Sequence, residues 1–133
     1  MVMLLFIFLS MFFWASAAFF NAVMDTLAHH YYNSIFNDKK FDSVFYNPAL
    51  SDKSYVVPCT KYKCDAWHLS KSSMIICQAL SCCFTFLAGV QMIPDTSVWI
   101  IGIDVSVLMI VLGIVWNGTF NLFYNKVLIK KQK

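Results

Sequence analysis

The sequence predicts an all-α integral membrane protein with three transmembrane helices and an interfacial first loop. Apolar residues make up 59% of the chain and charged residues 13%, where soluble domains carry about 25% charged. Three stretches of about 20 residues can each cross a hydrocarbon core of about 30 Å at about 1.5 Å per residue. Every lysine falls outside those stretches. A length of 133 residues accommodates one domain, so residues 1–133 read as a single membrane unit.

The first element is "MVMLLFIFLSMFFWASAAFF", with Ser10 and Ser16 as its only polar side chains. A span is placed over about residues 2–20, continuing as a helix to about residue 33. The rival reading is a cleaved signal peptide, since Ala15-Ser16-Ala17 has the small-x-small form of a cleavage site. No Lys or Arg precedes the apolar run, and the run exceeds an ordinary signal core, so an uncleaved helix is favoured.

The second span is placed at residues 74–93, where Gln78, Ser81, Thr85 and Gln91 soften the apolar run. Pro94-Asp95-Thr96-Ser97 follows and has turn and N-cap chemistry. The third span is placed at residues 98–116, with Trp99 and Trp116 at its two ends as an aromatic belt requires. So short a connection predicts that the second and third helices are antiparallel neighbours.

Residues 34–72 form a long loop carrying Lys39, Lys40, Lys53, Lys61, Lys63 and Lys71, and residues 117–133 form a basic tail carrying Lys126, Lys130, Lys131 and Lys133. Lysine-rich segments stay cytoplasmic. The expected topology therefore puts the N-terminus and the Pro94 turn outside an inner (cytoplasmic) membrane, and the loop and C-terminus inside. The loop is rich in aromatics, which argues against disorder; Phe41, Phe45, Tyr46 and Tyr55 are expected at headgroup depth. Ten Lys, no Arg and a net charge of +3 suit membrane flanks and argue against a nucleic-acid surface.

Candidate chemistry concentrates at the ends of the first two helices. On a continued first helix, Asn21, Asp25 and His29 are spaced i, i+4, i+8 on one face, with His30 about 100° away. Asp65 and His68 stand three apart just before the second span. The topology brings both groups to one interface, and carboxylate plus imidazole is a donor mix that borderline divalent metals such as zinc accept. The competing account is structural: polar residues mark a helix's exit from lipid, and Asp65 is a good N-cap. His68, at the third helical position where the dipole disfavours added positive charge, is the more suggestive of the two.

Cys59, Cys64 and His68 form C-x4-C-x3-H, an alternative metal set with looser spacing than the familiar zinc knuckle. On a cytoplasmic loop these thiols should be reduced, while Cys77, Cys82 and Cys83 read as small packing residues within a span. Asp104 is the only acidic residue deep in a predicted span. Such a carboxylate costs roughly 2.5 to 3.5 kcal/mol on insertion scales and should be neutralised or hydrogen-bonded within the bundle, with Ser106, Gln78 or Gln91 as partners. Asn117-Gly118-Thr119 matches a glycosylation sequon but falls on the cytoplasmic side. No Gly-rich phosphate loop, G-x-S-x-G elbow or H-E-x-x-H motif is present.

The stretches "NAVMDTLAHHYYNSIF", "FYNPALSDKSY" and "DAWHLSK" together resemble a family of small bacterial and phage integral membrane proteins carrying D-T-x-x-H-H, aromatic-Asn-Pro and D-A-W-H motifs in that order. The resemblance covers about the first two thirds of the chain. Tyr46 stands where a Trp is expected before Asn-Pro. What it implies is a membrane protein, without an assigned activity.

Two functional classes follow. One is a membrane protein binding a divalent metal through Asp25, His29, His30, Asp65 and His68 and acting on a lipid or membrane-associated substrate. In that version Asn21 and Lys71 support the site, Lys71 by positioning an anionic group. The other is a non-catalytic accessory or assembly protein, whose polar helix ends contact a membrane-protein partner or a second copy.

Overall fold

In lipid the backbone must satisfy its own hydrogen bonds, so long apolar runs without Gly or Pro breaks become helices. The computed structural model describes residues 2–41, 43–51, 64–91 and 98–130. Its elements are α1 (Val2–His29), two 3-10 turns (Tyr31–Asn33 and Ile35–Asn37), the short helices α2 (Ser43–Tyr46) and α3 (Pro48–Ser51), α4 (Ala66–Val90), α5 (Val98–Leu122) and a terminal π-helical stretch (Phe123–Leu128). Three helices are long and apolar enough to cross a membrane. Phe8, Phe86 and Ile114 leave 68%, 70% and 67% of their surface uncovered, which is favourable only against lipid.

The centre of the bundle is α1. It runs antiparallel to α4, with which it shares its longest interface, and parallel to α5. The second and third spans are therefore antiparallel to each other, as the short connection requires, but they are not close neighbours. Among the described residues they scarcely touch, because α1 lies between them. Small side chains make that position available: Ser10, Ala17, Ala18 and Ala22 of α1 are fully buried, and such residues let helix backbones approach closely in lipid.

A polar clamp fastens α1 to α4. Ser10 Oγ lies 3.0 Å from Ser81 Oγ and 2.7 Å from Thr85 Oγ1, and Ser81 Oγ donates to the Ser10 carbonyl at 2.9 Å. Phe84 stacks between Phe6 and Phe13 at centroid distances of 6.1 and 5.6 Å. On the opposite side, Trp14 meets Trp116 at 5.4 Å and Phe19 meets Phe123 at 4.7 Å, joining α1 to α5 and the segment beyond it.

Three element boundaries differ from the sequence reading. The first helix stops at His29 rather than near residue 33, because Ser34 competes for the backbone. Its hydroxyl donates to the Tyr31 carbonyl at 2.7 Å and accepts from the Phe36 N–H at 3.2 Å, the local bonding that turns Ser away from helix. The second helix begins eight positions earlier than residue 74, at Ala66, since Asp65 caps it. The third passes residue 116 and continues to Leu122 and the π-helical stretch. Asn117, Asn121 and Asn125 explain this last difference, for they form an i, i+4 ladder. Asn121 Nδ2 donates to the Asn117 carbonyl at 2.9 Å and Asn125 Nδ2 to Asn121 Oδ1 at 3.1 Å.

The packed core lies at one end of the bundle and includes Val23, Leu27, Tyr31, Phe36, Ala66 and Leu128. There the C-terminal segment pairs with the chain leaving α1: the Lys130 N–H donates to the Asn33 carbonyl at 2.8 Å, and Ser34 and Ile129 form an antiparallel bridge. The first loop and the basic tail thus share one end of the molecule. Phe41, Phe45 and Tyr46 pack against this core, whereas Tyr55 lies outside the described residues.

Tyr31 supplies a test of this junction. Burial, and then the charge of Tyr32, push its phenol above the ordinary tyrosine value. The folded state prefers the neutral phenol, so its stabilising contribution is fully present below about pH 10 and is lost as pH rises through the raised value. Tyr31→Phe should unfold less steeply than the parent above about pH 10, read as helical circular dichroism against pH in detergent. Identical alkaline profiles would remove Tyr31 from that transition.

Candidate site at the membrane interface

Asp65 is the N-cap of α4, with extended backbone angles and a carboxylate that accepts the His68 N–H at 2.8 Å. The same oxygen, Oδ1, also lies 2.7 Å from His68 Nδ1. Both bonds follow from the spacing: three residues on from an N-cap, the N–H and the side chain point back at the capping group. A carboxylate oxygen in this contact accepts, so Nδ1 carries the hydrogen, and Nε2 lies across the ring from Asp65.

The pair is unequal in exposure. The Asp65 side chain is 6% exposed and the His68 side chain 36%. A buried group thus orients an accessible one, which is the arrangement that fixes the tautomer of catalytic and metal-binding histidines. Trp67 and Lys71 complete the local surface: the Trp67 and His68 rings meet edge to face at 5.0 Å, and Lys71 Nζ sits 5.0 Å from the Trp67 ring centroid.

His68 and Asp65 border a cavity of about 220 Å³ whose other walls include Leu27 and Ala28 of α1 and Phe45 and Tyr46 of α2. A second cavity, of about 410 Å³, lies on the other side of the same two aromatics and is lined by Phe19, Phe20 and Val23. Phe36, Phe41, Phe45 and Tyr46 hold this wall as a cluster, with Phe36 and Tyr46 stacked at 5.1 Å. The loop aromatics Phe45 and Tyr46 therefore build a wall common to the two cavities.

The residues from the end of α1 lie elsewhere. Asp25 is close enough to Tyr124 of the terminal segment for their charges to interact, and the His30 ring meets Tyr124 edge to face at 5.6 Å. His29 is exposed and Asn21 half-buried. The side of α1 that meets the Asp65–His68 cavity presents Leu27 and Ala28. With α1 between α4 and α5, the two polar groups share one end of the bundle and face different neighbours.

Among the described residues, no three His, Cys, Asp or Glu side chains come together as metal ligands. Of the alternative thiol set, Cys64 is half-buried and its Sγ donates to the Asp65 carbonyl at 3.5 Å, while Cys59 lies outside the described residues. Comparison with protein-family models, curated proteins and solved structures finds no match to this chain.

Proposed function

We propose that this integral membrane protein binds a lipid-like amphiphile at its lysine-bearing, cytoplasmic interface and presents the polar end of that ligand to His68. The carrying observation is the 2.7 Å contact between Asp65 Oδ1 and His68 Nδ1 beside a cavity walled by Phe45 and Tyr46. The apolar walls suit the body of an amphiphile, and His68 Nε2 suits a proton to be accepted from its polar end. Lys71, three positions along α4 from His68, suits an anionic headgroup. The pairing of the first loop with the basic tail supports the orientation, because the positive-inside rule asks for both lysine groups on one side.

A second reading is favoured by the Cys64 thiol beside Asp65. Here His68 Nε2 ligates a divalent metal such as zinc, with Asp65 behind it as the orienting carboxylate and Cys64 as a second donor.

One experiment addresses both readings. Purified parent and His68→Ala proteins would be compared for co-purifying lipid by mass spectrometry and for bound metal by elemental analysis. The first reading expects His68→Ala to lose most of a specific lipid at unchanged metal content, and the second expects it to lose stoichiometric metal. Equal lipid and equal metal in the two proteins would reject the site.

A further inference from the structure

At the other end of the bundle, α1, α4 and α5 surround a half-open cavity of about 260 Å³. Its walls are almost wholly apolar, among them Ile7 and Met11 of α1 and Leu108 and Val111 of α5. Asp104 is the one ionisable residue lining it among the described residues. Among the described residues this carboxylate makes no side-chain hydrogen bond or ion pair, so the expected pairing with Gln78 or Gln91 is not formed. Thr85, a polar residue of the same wall, already has its hydroxyl 2.7 Å from Ser10 Oγ.

Depth gives this carboxylate a direction. Asp104 lies six positions after Val98, where α5 begins, so it sits about 9 Å along the axis at about 1.5 Å per residue. Leu108 and Val111 continue the cavity one and two turns deeper. A negative group near the rim and apolar walls below it complement a ligand with a cationic head and an apolar body. Such a ligand sets a cation against the half-buried carboxylate, and weakly hydrated cations are the ones that enter apolar surroundings readily. Because α1 holds α4 and α5 apart, the cavity has a floor on α1 and two walls, leaving a side entrance from lipid.

We propose that the Asp104 cavity is a binding site for amphiphilic organic cations of the quaternary ammonium or phosphonium class. The site is separate from the Asp65–His68 interface and stands whether or not the reading of that interface holds. Its test uses the full chain in phosphatidylcholine nanodiscs with tetraphenylphosphonium as the probe and protein-free discs as the background. Saturable binding is expected for the parent, weakened about tenfold or more in Asp104→Asn, with tetraphenylborate, the anionic analogue of the same shape, showing no saturable binding when it is the sole probe. Leu108→Trp, which keeps the carboxylate and fills the cavity, should weaken binding comparably and decides the matter if Asp104→Asn does not fold. No saturable binding by the parent, parent-like affinity in either folded variant, or saturable binding of the borate as sole probe would each overturn the proposal.

Discussion

Ser81→Leu should separate the first and second spans. Ser81 is 1% exposed and both of its hydroxyl contacts are to Ser10, at 3.0 Å to the side chain and 2.9 Å to the carbonyl. A leucine there removes interhelical bonds worth about 0.6 kcal/mol on average and adds an overpacking cost of typically 1–3 kcal/mol, so the loss should reach roughly 2–4 kcal/mol. Ser81→Ala keeps the close approach and should lose about 1 kcal/mol or less. Unfolding of the two variants in detergent, followed by circular dichroism, checks this. If Leu and Ala cost the same, close packing at Ser81 is not what joins α1 to α4.

Asp65→Ala and Asp65→Asn should separate the structural from the chemical role of the cap. Alanine cannot accept the His68 N–H, and loss of an N-cap costs about 0.5–2 kcal/mol. Asparagine is an equally good N-cap, so Asp65→Asn should unfold within a few tenths of a kcal/mol of the parent. It nevertheless removes the negative charge behind His68 Nδ1, and loss of such an orienting partner typically weakens metal binding or activity about 10–100-fold. Asp65→Asn is thus expected to keep the parent's stability and to lose the ligand retained by His68, whether lipid or metal. A variant as competent as the parent in retention would leave Asp65 a cap and nothing more.

The Asp65–His68 pair was legible because its geometry is local. An N-cap and the residue three positions later are brought together by the first turn of a helix, whatever the rest of the chain does. Asp25 and His29 were legible only as a face. Whether that face meets Asp65 depends on how α1 is rotated between its two neighbours, and no spacing within α1 carries that information. The Ser10 clamp was hidden for a similar reason: Ser10, Ser81 and Thr85 are scattered in sequence and read as isolated polar residues in apolar runs. Asn117, Asn121 and Asn125 did carry an i, i+4 signal for a longer third helix, which the basic residues after them obscured.

By itself, then, the sequence determined the solvent, the helical class and the number of spans, since 20-residue apolar runs admit little else in a bilayer. It also marked Asp65 as a candidate N-cap, although the span was placed eight positions beyond the start of α4 at Ala66. Tertiary structure alone decided that α1 occupies the middle, that Leu27 and Ala28 rather than Asp25 face the Asp65–His68 cavity, and that Asp104 lines an apolar cavity in place of finding a glutamine. The physical reason is that hydropathy acts on each segment separately. Helix order and rotation are set by close packing of small residues and a few interhelical hydrogen bonds, and these exist only once the segments have met.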